Sequence, residues 1–308
     1  MAFGMACASG GDASVVLSGE ATVTATPLKS ASPEPTSTPL IVDIPAPTVV
    51  PDQSGEVDGE SAVSAIEILP LEDLAPEAVT FLEGRAGAVG VAVVVPDETV
   101  VYLYNGSALF PMASVAKVSI MLTILDQVDR IGRVLTEQEV TLIRQMITVS
   151  DNVAAYALWE AVGGAEAVTQ YLESIGLNGL DLNSRYWGES LASAADLAQI
   201  LAMLAGGEIL EEPRRSFALK LMVDVDDTQD WGVSAGPAND PAEGTVGVKN
   251  GWYPAPDGWR VNSIGFVYAN DNRLEYTVAI LTNGQRSLDE GIETIEALSQ
   301  IIHAEIVD

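Results

Sequence analysis

The sequence predicts an α/β (α+β) fold: an antiparallel five-stranded sheet flanked by N- and C-terminal helices, plus an all-helical lobe. Three observations predict it. Two Val- and Tyr-rich runs near residues 88–104 precede a stretch, residues 114–223, in which apolar residues recur at helical spacing. Three further β-rich runs follow between residues 244 and 281. An amphipathic helix then closes the chain.

Taken in order, Ala75 to Gly84 reads as a short helix with Val79, Phe81 and Leu82 on its apolar side. Ala88–Val95 and Thr99–Tyr104 form a hairpin through the turn Pro96-Asp97-Glu98. Ser114 opens a helix to about Val128, with Val115, Val118, Met121, Leu122 and Leu125 facing one way. The next helix, Thr136 to Thr148, starts on a Thr-x-x-Glu capping box, Thr136 to Glu139. Asp151–Ala161 and Ala165–Ile175 follow, separated by Gly163-Gly164. A loop, Gly176 to Ser190, leads to a helix that begins at Ser193, carries Asp196 in its first turn and ends before Gly206-Gly207. Another covers about Pro213 to Val223. The late strands are Gly244–Lys249, Val261–Tyr268 and Glu275–Leu281, the last two joined by Ala269-Asn270-Asp271-Asn272. The final helix, Ser287 to Val307, has a stripe of Ile292, Ile295, Leu298, Ile301 and Ile302. Two early and three late strands would share one sheet, with a cleft between it and the helical lobe.

Residues 62–308 are enough for one domain with its own core. Residues 1–60 read as an extended Thr/Ser/Pro-rich tether: prolines from Pro27 to Pro51 block helix and central strand, and Lys29 is its only basic residue. The start, Met-Ala-Phe-Gly-Met-Ala-Cys7, reads either as the remnant of a lipoprotein signal whose cysteine is acylated or as an incidental cysteine. A secreted or cell-envelope monomer, tethered through Cys7 if that residue is lipidated, is the expectation.

Composition removes whole mechanistic classes. With one cysteine there is no internal disulfide. One histidine, His303, sits near the end of the last helix, where a surface or flank role is expected, so a Ser-His-Asp triad is excluded. Zinc needs several His or Cys ligands, and we expect no metal and no cofactor. A net charge of -30 makes nucleic acid a repelled partner.

What remains is a small set of polar strings. Only four lysines occur, and two stand in Ser114-Val-Ala-Lys117 and Lys249-Asn250-Gly251, with Ser150-Asp151-Asn152 between them. Ser114 and Lys117, three apart at a helix start, project from one face, so the amine can take the serine proton if burial and nearby positive charge lower its pKa. The helix N-terminus favours negative charge developing there. Ser150, in a turn before a helix, is placed to relay a proton. Asn152 can hold a substrate amide or Lys117. Lys249, at a strand end, adds positive charge near Ser150, and Gly251 lets a substrate backbone approach the strand. Singly, each string also reads as a cap or a turn; together they occur in one order, each in the local setting the chemistry needs.

Phe110-Pro-Met-Ala-Ser114-Val-Ala-Lys117, Ser150-Asp-Asn152 and Lys249-Asn-Gly251 resemble the motifs of the penicillin-recognising serine hydrolases, nearest the class A β-lactamases, over about residues 75–308. The resemblance implies that fold and an acyl-enzyme at Ser114, with Lys117 as base, Ser150 as proton shuttle and Lys249 orienting a substrate carboxylate. It also implies an oxyanion hole from the N–H groups of Ser114 and Trp252. Gly258-Trp259-Arg260 is similar to the family's following strand, whose arginine binds the substrate carboxylate; a plain surface arginine is the competing reading of Arg260.

Three departures stand out. Asn250 replaces Thr or Ser, bulky Trp252 and Tyr253 follow, and the family's Glu-x-x-Leu-Asn loop is altered. Aligning Leu182-Asn183 with its end puts Gly179 where the glutamate belongs. Glu189 and Asp181 are the loop's carboxylates, Glu189 being the candidate deacylation base. The implied activity is β-lactam ring hydrolysis, hence β-lactam catabolism and antibiotic resistance, with acylation faster than release. The alternatives are a penicillin-binding or D-Ala-D-Ala carboxypeptidase-like protein and a non-catalytic cell-wall peptide-binding module.

Overall fold

Alternation along the strands decides how the elements layer in the protein, of which a computed structural model describes residues 66–96, 99–237 and 244–307. The expected tether, with Cys7 and Lys29, lies outside these residues, as do Asp97 and Glu98 of the hairpin turn. In chain order the elements are β1 (Glu67–Pro70), α1 (Leu71–Leu74), α2 (Pro76–Glu83), β2 (Ala88–Val95), β3 (Val100–Tyr104) and β4 (Leu109–Pro111). Then come α3 (Ala116–Arg130), α4 (Glu137–Thr148), α5 (Asn152–Val162), α6 (Gly164–Ser174), β5 (Leu191–Ser193), α7 (Ala194–Gly206) and α8 (Arg214–Val223). The chain ends with β6 (Thr245–Ala255), β7 (Gly258–Tyr268), β8 (Leu274–Gln285) and α9 (Leu288–Val307).

In β2, Val89, Val91, Val93 and Val95 pack with Leu82 of α2 and with Ile295, Leu298 and Ile302 of α9. Ala92 and Val94 point the other way, into a core built from α3 to α8. Strand β8 repeats the pattern, with Val278 and Ile280 on one side and Ala279 and Leu281 on the other. Period-2 geometry therefore produces a sheet buried on both faces. Helix α7 lies directly on it: Thr277 of β8 donates to the Ala198 carbonyl at 2.8 Å.

The sheet order is β1-β3-β2-β8-β7-β6, six strands instead of the expected five. The extra one, β1, pairs in parallel with β3 (Ile68 with Val101), so the sheet is mixed. It escaped the sequence pattern because it is a four-residue edge strand with Ile68 67% exposed, and because Pro70 ends it. A second, two-stranded sheet joins β4 to β5. Neither run is long enough to show a period.

Two further expectations change. Lys249 lies inside β6, which continues to Ala255 as a hairpin with β7. Residues 252–255, Trp-Tyr-Pro-Ala, include a proline, and on this edge strand its missing N–H is tolerated. His303 is buried, 4% exposed, with Nδ1 2.9 Å from the Tyr276 hydroxyl. A terminal helix covering a sheet face buries one side to its last turn. The capping box formed as expected: Glu139 N–H donates to Thr136 Oγ1 at 3.2 Å and Thr136 N–H to Glu139 Oε2 at 2.8 Å. Thr136→Ala should therefore lower stability by about 1 kcal/mol in urea unfolding.

Candidate functional site

Three chain segments that start or cross secondary structure converge on the Ser150 hydroxyl, one of them bringing Ser114. Ser114 sits in the 3-10 turn Ala113–Val115 that leads into α3. Ala113 holds a left-handed φ of 50°, a strained conformation for a residue with a Cβ. Asn262 of β7 fixes that turn, donating to the carbonyls of Pro111 (2.8 Å) and Met112 (3.1 Å), and Met112 N–H reaches Ser190 O at 2.8 Å. One turn on, Lys117 places Nζ 3.1 Å from Ser114 Oγ.

The second segment is the turn before α5. Asp151 caps the helix, accepting from Ala154 N–H at 2.7 Å, while Ser150 takes φ 56°. This aims both Ser150 oxygens at Lys117: Nζ lies 2.6 Å from the carbonyl and 3.0 Å from Oγ. Asn152 Oδ1 accepts from the same amine at 2.8 Å. The third segment is β6, whose Lys249 Nζ reaches Ser150 Oγ at 3.0 Å and its neighbour's carbonyl, Asn250 O, at 2.8 Å. Two amines thus share one hydroxyl.

Both amines are buried, Lys117 at 0% and Lys249 at 1% exposure. Burial pushes the Lys117 amine down to about 7, opposed by the negative charge of Asp151. Burial also holds Lys249 well below the ordinary lysine range, helped by the charge of Lys117. A neutral Lys117 can accept the Ser114 proton, while Ser150 connects it to the second amine.

The same geometry makes Gly251 obligatory. A Cβ there would stand 2.5 Å from Ser114 N and 2.8 Å from Val115 N, so strand β6 touches the serine turn backbone to backbone.

The sequence profile of the beta-lactamase enzyme family matches residues 139–306. The chain belongs to that family. An extended-spectrum beta-lactamase of Pseudomonas aeruginosa, PER-1, is 31% identical over 123 residues, a match spanning 30% of this chain and 40% of PER-1. Among solved structures, a variant of the last common ancestor of Gram-negative class A beta-lactamases superposes with a TM-score of 0.66 at 25% identity, covering 76% of this chain and 98% of that one. A class A beta-lactamase of Bacteroides cellulosilyticus gives 0.65 at 21% identity over 75% and 95% of the two chains, a likeness of fold. The mixed sheet with its helical lobe is the class A beta-lactamase fold.

Within that fold, several expected site residues have local partners of their own. The Asn250 side chain is buried, and its amide donates to the carbonyls of Gln229 (2.8 Å) and Trp231 (2.9 Å), bracing the segment before β6. An amide that can donate twice is drawn to two loop carbonyls, a use that a turn reading of Lys-Asn-Gly did not foresee. Arg260 is paired: Nη1 and Nη2 hold both carboxylate oxygens of Asp257, and Nη1 also donates to Gly258 O at 2.9 Å. Its charge is therefore met within the hairpin. Trp252 lies edge-on to Trp231 with ring centres 5.5 Å apart. Glu189 is exposed, and the hydrogen bonds of Lys117 go to Ser114, Ser150 and Asn152, none of them to a carboxylate. Asp181 is in a bridge with Leu191, on the β5 side of the loop.

Asn262 and Trp187 were missed by sequence reasoning. A low-propensity asparagine inside the apolar strand Val261–Tyr268 was the available signal for the first. Trp187 gave none, since a loop tryptophan reads as packing.

Three expected outcomes follow from this geometry. The single-turnover acylation rate should rise with pH to a plateau with a midpoint near about 7, because Lys117 works as a base only when neutral. The same depressed pKa means the fold binds fewer protons at this lysine than the unfolded chain does. Its contribution to stability is complete above about 10.5 and is lost as pH falls toward about 7. Gly251→Ala should cut acylation by roughly a hundredfold in the same assay, since the added methyl displaces the Ser114 backbone.

Proposed function

We propose that this protein is a serine hydrolase that opens β-lactam rings through an acyl-enzyme at Ser114. The observation that carries the reading is the pair of buried amines meeting at Ser150 Oγ, with Lys117 Nζ 3.1 Å from Ser114 Oγ. As Ser114 Oγ bonds to the lactam carbonyl carbon, its proton passes to Lys117 Nζ. The resulting oxyanion is held by the N–H groups of Ser114 and Trp252, the edge where β6 meets the serine turn. The ring C–N bond then breaks as Ser150 gives its proton to the nitrogen and takes one back from the lysine pair. Lys249 supplies positive charge for an anionic substrate group. Gly251 and Trp252 shape the strand edge along which the substrate lies. Arg260 reaches a substrate carboxylate by giving up Asp257 for it.

Release is the weaker half of the cycle. Hydrolysis of the Ser114 ester needs a water and a base, and Glu189, the candidate base, is solvent-exposed. The absence of a carboxylate among the hydrogen-bond partners of Lys117 favours a second reading, a penicillin-binding or D-Ala-D-Ala carboxypeptidase-like protein that acylates readily and lets go slowly. A role in antibiotic resistance and a secreted or cell-envelope location go with the first reading.

Stopped-flow mixing with a chromogenic cephalosporin tests it. The expected trace is a burst of about one equivalent followed by a slow steady state, because acylation outpaces release. Ser114→Ala should abolish the burst while the protein remains folded. A linear trace that Ser114→Ala leaves unchanged would count against the proposal.

A further inference from the structure

Lys117 meets its surroundings with its donors fully engaged. An ammonium has three N–H groups, and Nζ has four oxygen neighbours on Ser114, Ser150 and Asn152. Its remaining flank is covered by the indole of Trp187, whose ring centre lies 4.9 Å from Nζ. Trp187 is 6% exposed and belongs to the 3-10 turn Trp187–Glu189, in the loop where the expected deacylation glutamate is missing. Packing holds the ring in place. Tyr156 of α5 meets it edge-on at 5.8 Å, and the next residue, Gly188, lies against the Ala113 backbone, where an added Cβ would sit 3.7 Å away. The indole Nε1 is buried and has no hydrogen-bond partner among the described residues.

We propose that Trp187 is a positioning residue that excludes water from the Lys117 amine and from the ester carbonyl at Ser114, so that it sets the lifetime of the acyl-enzyme. The inference deepens the acyl-enzyme reading and rests on it. Release requires a water oxygen to bond to the ester carbonyl carbon, a base to take the water proton, and the Ser114 Oγ–carbon bond to break with Oγ reprotonated. An indole across the lysine removes the position from which that amine could activate the water. The ring also desolvates the amine. Its π face alone would favour the ammonium, as does Asp151, while Lys249 opposes a second positive charge. Desolvation is the largest influence.

The test uses the full chain with 13Cε-labelled lysine, which gives few signals because there are only four lysines. Two quantities are read: the titration midpoint of Lys117 and the half-life of the adduct formed with a fluorescent penicillin. Trp187→Ala should raise the midpoint by at least about one pH unit and shorten the half-life at least about tenfold. Trp187→Phe, which keeps an apolar ring, should leave the midpoint within about 0.3 pH unit and the half-life within roughly twofold of the native protein. Tyr156→Ala removes a partly exposed support, 42% exposed, and should move both quantities the same way by a smaller amount. A folded Trp187→Ala protein with native midpoint and native half-life would overturn the proposal. If that variant does not fold, Tyr156→Ala decides it, and native values there overturn it. If penicillin labels no form of the protein, the functional reading falls, and the Lys117 midpoint alone then decides the role of Trp187.

Discussion

Two lysine amines lie buried around one serine hydroxyl, and each is hydrogen-bonded to oxygens that carry no charge. Removing an ammonium from water costs several kcal/mol, and a second positive charge within hydrogen-bond reach of the same oxygen adds repulsion. The protein relieves that cost by favouring a neutral amine at Lys117. On the proposed reading that amine is the base, and the oxygens it meets belong to Ser114, Ser150 and Asn152. In a chain with one histidine, itself engaged with Tyr276 on the far layer of the core, this constraint is the source of the chemistry.

The scaffold serves the constraint by joining three segments that are remote in sequence. The start of α3 carries the serine and first lysine, the turn before α5 carries the shared hydroxyl, and β6 carries the second lysine. Two left-handed backbone conformations, at Ala113 and Ser150, aim the groups. Such strain persists only where the surroundings fix it. Here Asn262 clamps the serine turn from β7, Asp151 caps α5, and Gly251 lets β6 lie against the Ser114 backbone. The sheet, buried on both faces, makes β6 and β7 rigid enough to hold these positions.

Much of this was legible in the amino acids. The valine run of β2 and the apolar stripes of α3 and α9 fixed their elements because each buries a whole face. Lys117 meets Ser114 as helical spacing implied, and of the two partners open to Asn152, a substrate amide or Lys117, its Oδ1 accepts from Lys117. Edge features were less legible. Strand β1 has four residues and an exposed isoleucine, so no period marked it. His303 looked peripheral because sequence position says nothing about which face a terminal helix buries. Asn250 and Arg260 have the right chemistry for a substrate carboxylate, but local partners answer them first: two loop carbonyls for one, Asp257 for the other. Position along a strand identifies a residue's neighbourhood, while hydrogen-bond geometry decides what it does there.

The arrangement separates the two halves of a hydrolytic cycle. On the proposed reading, Ser114, Lys117, Ser150 and Lys249 form one hydrogen-bonded set for acyl transfer, and the loop assigned to release presents an exposed Glu189 and a buried indole. The most direct measurement is peptide-resolved mass spectrometry of the intact chain after brief exposure to a penicillin at a pH above the Lys117 midpoint. The account predicts one adduct, with the mass of the whole penicillin, on the peptide carrying Ser114. An adduct on a different residue, or none on a folded protein, would contradict it.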